Sequence, residues 1–181
     1  MSHVMLDLET MGTDPYSPVV AIGACRFEMN NDTEFAPEDM FYQPITLESC
    51  MELGLKPSAS TITWWLAQSR EAIDATFAPK DVPAVALPIA LDAFTDWLNS
   101  RPDTIWGNSA AFDCGLLAAA YKACGKVVPW EFYREACYRT VKNLPGAKEV
   151  PMLRVGVHHK ALDDAISQAN HLRAIFKHLK L

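Results

Sequence analysis

An apolar run near the start of the chain, residues 3–10, carries two acidic side chains, Asp7 and Glu9. The run predicts a buried β-strand, and a strand turns alternate side chains to opposite faces. Asp7 and Glu9 therefore share one face, while the leucines beside them take the other. Two carboxylates on one face of a core strand repel each other and lose hydration, so they need a cation or a raised pKa. A cation would make this face a metal site.

Length and composition favour a single globular domain over residues 1–181. Half of the residues are hydrophobic and 21% are charged, which is typical of a globular protein. No apolar run is long enough to cross a membrane and no basic-then-apolar leader opens the chain, so we expect no membrane partner and a cytoplasmic location. The five cysteines form no CxxC pair, which favours reduced thiols.

The net charge of −6 also constrains the partners of the protein. It argues against a protein that coats nucleic acid non-specifically. It leaves room for an enzyme that binds a short stretch of phosphate backbone, because divalent cations on clustered carboxylates would reverse the local charge.

The pattern along the chain predicts an α/β fold in which a mixed sheet is packed against helices. Strands are expected at 3–10, 18–28, 40–45 and 104–106, with a short one near 130–137. Helices are expected at 47–53, 60–77, 84–99, 111–124, 138–144 and 160–179, with 145–157 loop-like. A turn is expected at 30–32, and the first three strands should form an antiparallel meander.

A third acidic residue, Asp113, lies in the first turn of the predicted helix 111–124. Acids in a first turn are common because they favour the helix dipole. At about 100° per residue, however, Asp113 falls within the apolar arc that Leu116 and Leu117 define. A charge on a buried face again requires a partner.

The last predicted helix begins with two acids, Asp163 and Asp164. The helical period places Asp164 on the flank of the apolar face and Asp163 on the opposite side, so we expect Asp163 to be solvated. His158 and His159 precede this helix. His159 can meet Asp164 if the histidine lies in the loop and the acid in the helix. A loop histidine is usually only solvated, but a neighbouring candidate metal ligand favours a functional role.

Three segments in order carry a family resemblance: Asp7–Thr10, Asn108–Asp113 and His159–Ala165. Together they resemble the DEDDh 3′–5′ exonucleases, which include the proofreading subunit of the replicative polymerase, oligoribonuclease and ribonuclease T. Residues 8–12 and 60–68 are most similar to small phage and bacterial exodeoxyribonuclease VIII-like proteins and to a mycobacterial-type 3′–5′ exoribonuclease domain. The resemblance spans nearly the whole chain.

The resemblance implies a ribonuclease H-like fold, with a five-stranded mixed sheet flanked by helices. It also implies two Mg²⁺ or Mn²⁺ ions, held by Asp7, Glu9, Asp113 and Asp164. The chemistry agrees, because these hard cations take oxygen ligands and four carboxylates balance two divalent ions. The implied reaction is two-metal hydrolysis of single-stranded RNA or DNA from a free 3′ end to nucleoside 5′-monophosphates, with His159 as general base.

Residues flanking the carboxylates are expected near the terminal nucleotide. The family resemblance implies that Thr10, Met11 and Gly12 would place backbone groups and a wedge against it, although Met11 suits simple packing equally well. Trp64 and Trp65 cannot share one helix face, so one should lie in the core. We expect Trp65 to be the one that stacks on a base.

Two further residues have open alternatives. Asn108 would bond the substrate or cap the following helix. Phe112 would lie against a base or in the core. The choice between RNA and DNA and the formation of a homodimer are also open.

Three other functions compete with an exonuclease. One is a ribonuclease H-like endonuclease that uses the same metals. Another is a catalytically silent nucleic-acid-binding module, although such modules often lose a ligand and all the expected ligands are present. The last is a structural zinc protein built from His158, His159 and cysteines.

Overall fold

Runs of aliphatic residues form the strands of a mixed sheet in the computed structural model, which describes residues 2–31, 33–99 and 102–181. The predicted turn at 30–32 therefore lies partly outside the described residues. The strands are β1 (His3–Thr10), β2 (Val19–Phe27), β3 (Met40–Pro44), β4 (Thr104–Gly107) and β5 (Glu135–Cys137). They form one five-stranded sheet in the order β3-β2-β1-β4-β5.

The central strand β1 joins two kinds of pairing. It runs antiparallel to β2, which is antiparallel to β3, so the predicted meander is confirmed. On its other edge β1 runs parallel to β4, and β4 runs parallel to β5. The parallel half brings the carboxyl ends of β1, β4 and β5 to the same edge of the sheet.

Seven helices are described: α1 (Leu47–Glu52), α2 (Ala59–Leu66), α3 (Arg70–Phe77), α4 (Leu87–Leu98), α5 (Ala110–Ala123), α6 (Tyr138–Lys142) and α7 (Ala161–Leu179). The segment predicted as a single helix at 60–77 is two, α2 and α3. Ser58 and Ser69 each cap a new helix, because each side chain accepts a hydrogen bond from a backbone N–H three residues on. In the part of the chain that the structure describes, no helix is both long and apolar enough to cross a membrane.

Helices cover both faces of the sheet, and β1 shows why. Its Val4, Leu6 and Leu8 pack into a core with α4 and α5. Its Met5, on the opposite face, packs with residues of α7. Asp7 and Glu9 are two and four residues after Met5, so they share its face of the strand and face α7. This confirms the predicted alternation.

The first turn of α7 lies directly against the backbone of β2 at Gly23. Gly23 pairs with Asp7 across the sheet. A Cβ atom at position 23 would come within 2.2 Å of the Ala161 carbonyl carbon and the Leu162 nitrogen. The glycine therefore permits a backbone-to-backbone approach that no other residue would allow.

Candidate active site

Three elements bring the predicted carboxylates together at one end of the central strand. Asp7 and Glu9 come from the end of β1, and Asp164 comes from the first turn of α7. One oxygen from each of these three residues lies within 4.8 Å of the other two. Asp113, from the first turn of α5, is buried beside them, and its charge acts strongly on Asp7. Three of the four predicted ligands thus lie within 4.8 Å of one another, and Asp113 is their buried neighbour.

Gln168 holds Asp7 from the side of α7. Its Nε2 donates to Asp7 Oδ1 at 2.7 Å. Its Oε1 is buried without a hydrogen-bond partner among the described residues. Sequence reasoning missed Gln168, although it stands four residues after Asp164 and hence on the same face of α7. An orphaned acceptor beside a carboxylate cluster suits a hydrated cation, whose water can donate to it.

Asp113 is held by the backbone that leads into its own helix. Its Oδ2 accepts a hydrogen bond from the Ser109 N–H at 3.1 Å. A Cβ atom at Gly107, the last residue of β4, would lie 2.8 Å from this side chain. The end of β4 therefore leaves space for the carboxylate of Asp113 to reach the cluster.

Burial raises the pKa of three of these carboxyls, and mutual repulsion adds to the effect for Asp7 and Glu9. Burial, followed by the charges of Asp113 and Glu9, raises the pKa of Asp7 well above its ordinary value. Burial and then the charge of Asp164 raise the pKa of Glu9 to about 8. Burial raises the pKa of Asp113 to about 6, although backbone N–H groups oppose the change. Buried, mutually repelling oxygen ligands fit a hard divalent cation, which would restore their charged forms.

These raised pKa values predict that the metal-free protein loses stability as the pH rises. Because the folded pKa values exceed the unfolded ones, the stabilisation is complete below the unfolded values near 4. It is lost as the pH passes the folded values, about 6 for Asp113 and about 8 for Glu9. A tenfold change in a proton-binding constant on folding corresponds to about 1.4 kcal/mol, or about 3–6 °C in Tm for a chain of this size.

Thermal melting in EDTA across this pH range measures the effect. Saturating Mn²⁺ should flatten the decline, since a bound cation favours the ionised carboxylates. A Tm in EDTA that does not fall between about pH 5 and pH 9 would contradict the prediction.

His159 lies in the loop just before α7, as predicted. Its backbone has a φ of 66°, in the left-handed region. Its N–H donates to Asp164 Oδ2 at 2.9 Å, and its carbonyl accepts from Thr76 Oγ1 at 2.8 Å. The ring makes a T-shaped contact with the Trp64 ring, with centroids 4.9 Å apart, and stacks on His158 at 3.7 Å. Burial, with the neighbouring His158, lowers the pKa of His159, which favours a neutral imidazole at pH 7.

Asp163 differs from the solvated acid that we expected. Its side chain is only 15% exposed and lies 3.6 Å from Lys160 Nζ. Its Oδ2 accepts a hydrogen bond from the Val157 N–H at 2.8 Å. The prediction was wrong because the loop before α7 folds back over the first turn of the helix. Asp163 thus supports the loop that carries His159.

The two tryptophans of α2 are reversed relative to our expectation. Trp65 is buried with Met11 and Val20, and its Nε1 donates to the Thr10 carbonyl at 3.0 Å. Trp64 is 43% exposed. Because α2 turns Trp65 towards the end of β1, its burial argues against the stacking role that we expected for it, although both rings line the apolar cavity described below. Trp64 is the more exposed of the two rings.

The turn after β1 is rigid. Thr10 Oγ1 donates to the Gly12 carbonyl at 2.7 Å. A Cβ atom at Gly12 would lie 2.3 Å from Ser17 Oγ, so the turn leaves no room for a side chain there. The Met11 side chain is 7% exposed and packs in a core, which favours packing over a wedge against a nucleotide.

Two cavities meet at Leu8 and Glu9. One, of about 420 Å³, is mainly apolar and includes Thr10, Trp64 and Phe112. The other, of about 200 Å³, is polar. It is lined by Asp7, Asn108, Lys142, Arg154, His159 and Asp164, among others. The carboxylate cluster therefore has an apolar cavity on one side and a polar cleft on the other.

The two residues left open in the sequence have distinct environments. Asn108 Oδ1 accepts from Lys142 Nζ at 3.1 Å, and Ser109 is the residue before the first turn of α5. Asn108 therefore does not cap that helix. Phe112 packs against the core and also lines the apolar cavity, so its two alternatives are compatible.

The zinc alternative receives no support from the cysteines. All five are free thiols. Within the described ranges, the groups that could hold a metal are Asp7 with Glu9 and Asp164, and His158 with His159 and Asp164. Neither group includes a cysteine.

Comparisons with known proteins agree with this geometry. A family model described as the 3′–5′ exoribonuclease Rv2179c-like domain matches residues 2–176. The comparison with curated proteins returned no match. Among solved structures, cell-death related nuclease 4 (CRN-4) superposes with a TM-score of 0.66 at 14% identity, over 97% of this chain and 64% of that one. This chain thus spans less than two thirds of the length of that nuclease.

Two further solved structures share the fold. The nuclease domain of 3′hExo, a DEDDh family member bound to rAMP, has a TM-score of 0.60 at 15% identity, over 97% of this chain and 92% of that one. S. pombe Pop2p, in a Mg²⁺ and Mn²⁺ bound form, has a TM-score of 0.64 at 14% identity, over 97% and 82%. The predicted ribonuclease H-like fold of DEDDh exonucleases is confirmed.

Proposed function

Because the chain belongs to the Rv2179c-like 3′–5′ exoribonuclease domain family, we propose that it removes nucleoside 5′-monophosphates one at a time from the free 3′ end of single-stranded nucleic acid. The family makes the protein a 3′–5′ exonuclease. The observation that supports this mechanism is the convergence of four carboxylates and one loop histidine at the end of β1, where Glu9, Asp113 and Asp164 are buried and Asp7 is half-buried. Ligands from β1, α5 and α7 meet there although they are distant in sequence.

The proposed metal ligands are Asp7, Glu9, Asp113 and Asp164, which would hold two Mg²⁺ or Mn²⁺ ions. Their donors are all carboxylate oxygens, the set that these hard cations prefer. When bound, such ions supply an activated water and stabilise charge on the phosphate and on the departing 3′ oxygen. Gln168 keeps Asp7 oriented through its 2.7 Å hydrogen bond.

His159 accepts the proton of the attacking water in this mechanism. Its lowered pKa leaves the ring neutral at pH 7, with a nitrogen free to take a proton. The hydrogen bond from its N–H to Asp164 places the base directly beside a metal ligand. The edge contact with Trp64 restricts rotation of the imidazole.

The apolar cavity is the proposed site for the 3′-terminal nucleoside. Its volume of about 420 Å³ lies in the range of small-ligand sites. Trp64 lines this cavity and is 43% exposed, and Phe112 lines it too. The turn at Thr10–Gly12 is held by its own hydrogen bond, so it presents a fixed wall to the sugar.

Alanine substitutions of the two tryptophans should have different effects, one on substrate binding and the other on stability. Trp64→Ala should raise KM by about 5- to 100-fold, because a stacked base contributes about 1–3 kcal/mol, and should leave Tm nearly unchanged. Trp65→Ala should instead destabilise the fold by about 3–5 kcal/mol, since it empties a core position. Steady-state kinetics and thermal melting separate the two effects. Trp64→Phe should retain most of the stacking, and an unchanged KM in Trp64→Ala would contradict the assignment.

The function is tested with 5′-labelled single-stranded RNA and DNA in Mg²⁺ or Mn²⁺. A ladder shortening from the 3′ end, with nucleoside 5′-monophosphate as product, is expected. The same strands with a blocked 3′ end should stay intact, whereas an endonuclease would cut them. A silent binding module would shift the strands in a gel and cleave neither. Comparing the rates on RNA and on DNA shows at the same time which of the two the enzyme prefers.

A further inference from the structure

Cationic side chains gather on the polar side of the carboxylate cluster. Lys142 and Arg154 line the polar cleft, and neither lines the apolar cavity. Lys142 belongs to the last turn of α6, and Arg154 to the loop before α7. Arg139, one turn before Lys142, donates to the Asn108 carbonyl at 3.2 Å. An acidic protein with a net charge of −6 thus places positive charge beside its site.

Lys142 has neutral partners. Its Nζ donates to Asn108 Oδ1 at 3.1 Å and lies 5.0 Å from the centre of the Tyr138 ring. Over residues 2–31, 33–99 and 102–181, no carboxylate forms an ion pair with it. Burial, with the charges of Arg139 and Arg154, lowers the pKa of Lys142. The positive charges of Lys142, Arg139 and Arg154 therefore repel one another, and a bound anion would stabilise them.

Arg154 has an acidic partner that a metal would engage. Its Nη1 lies 2.7 Å from Asp164 Oδ1, while the His159 N–H occupies Oδ2. The Arg154 side chain is 49% exposed, so its position in the cleft is not enforced by packing. A cation bound to Asp164 would compete with and repel the guanidinium. Arg154 would then be free to turn to another anion in the same cleft.

The positions of the two cavities on either side of Glu9 indicate which anion this is. If the 3′-terminal nucleoside lies in the apolar cavity, the scissile phosphate lies at Glu9, where the cavities meet, and beside Asp7 in the polar cleft. The strand must then continue on the other side of Glu9. That side is the polar cleft, lined by Lys142 and Arg154.

We propose that Lys142 and Arg154 form a binding site for the phosphodiester next to the scissile one on its 5′ side. The proposal rests on the proposed function, which fixes the terminal nucleoside in the apolar cavity. Arg154 exchanges its hydrogen bond with Asp164 for one with the phosphate, and Lys142 contributes a second charge. Both residues are positioning residues for the strand.

The test replaces one phosphate of a short single-stranded oligonucleotide by an uncharged methylphosphonate. Replacement at the linkage next to the scissile one should raise KM of the wild-type enzyme about 10-fold or more, the scale of a charge-assisted hydrogen bond. The same replacement several linkages towards the 5′ end is the substrate control. Arg154→Gln and Lys142→Gln should raise KM for the unmodified strand and become less sensitive to the replacement. Arg70→Gln, on an exposed side chain of α3, should behave like wild type.

Mn²⁺ binding without substrate separates substrate binding from a purely structural role. Arg154→Gln should bind Mn²⁺ at least as tightly as wild type, since it removes a competitor for Asp164. If Arg154 only oriented Asp164, this variant would bind Mn²⁺ more weakly and keep its full sensitivity to the methylphosphonate. That result would overturn the proposal.

Fluorescence anisotropy of the same strands in Ca²⁺ makes the outcome independent of cleavage. Weaker binding of the strand modified next to the scissile linkage supports the phosphate site. Equal affinity of wild type for all three strands overturns it. Absence of cleavage with every unmodified strand would overturn the proposed function and leave this binding result to decide the phosphate site.

Discussion

Asp7→Asn abolishes exonuclease activity and at the same time raises the stability of the metal-free protein. The loss should reach about 10³-fold in kcat, because metal stabilisation of the reacting phosphate contributes several kcal/mol. The gain in stability arises because burial, and then the charges of Asp113, Glu9 and Asp164, raise the pKa of Asp7 and make its charged form costly. An uncharged amide of the same shape removes that repulsion and can keep a hydrogen bond with Gln168.

Single-turnover kinetics in Mn²⁺ and thermal melting in EDTA measure the two effects on one preparation. Asp96→Asn, on the exposed side of α4, is the matched control and should change neither. Opposite signs for activity and stability are the signature of a residue kept for metal binding rather than for folding. Undiminished turnover in Asp7→Asn would refute the ligand assignment.

His159→Asn lowers kcat by about 10²- to 10⁴-fold, the usual contribution of a general base. Asparagine is the appropriate replacement because position 159 has a φ of 66°, a conformation that asparagine tolerates better than alanine. The backbone N–H that binds Asp164 remains in the variant, so the Kd for Mn²⁺ measured by calorimetry should stay close to that of wild type.

The pH profile gives a second measure of the same residue. Wild-type kcat should fall as the pH drops through the pKa of His159, which lies below its usual 6.5. The variant should lack that acidic limb. His158→Asn, which changes the exposed neighbour, should keep most of the activity and shift the limb to higher pH, since His158 helps lower the pKa of His159. A His159→Asn enzyme with the wild-type rate would exclude this residue as the base.

Local periodicity was sufficient to predict much of this molecule. The bounds of β1, the shared face of Asp7 and Glu9, and the burial of Asp113 and Asp164 follow from the periods of strands and helices. The resemblance then supplied what periodicity could not, the ribonuclease H-like arrangement of the sheet. Its family was confirmed by a match over nearly the whole chain.

The errors occurred where distant segments decide the environment. Asp163 is covered by the loop before α7, and Trp65 is buried by the turn after β1, two contacts that no helical wheel contains. Arg154 and Lys142 belong to a loop and a short helix, so their place beside the carboxylates depends on tertiary contacts. Gln168 is different, because its spacing of four from Asp164 could have revealed it.

Gly23 sets the separation of the two backbone segments that carry the proposed metal ligands Asp7 and Asp164, although it has no side chain of its own. It pairs with Asp7, and it lets the start of α7, three residues before Asp164, rest on the backbone of β2. The distance between the backbones of β2 and α7 is therefore as short as main-chain contact allows. A methyl group at position 23 would push α7 away from β2 and increase the distance between Asp7 and Asp164. Metal binding would then weaken although all the proposed ligands are still present.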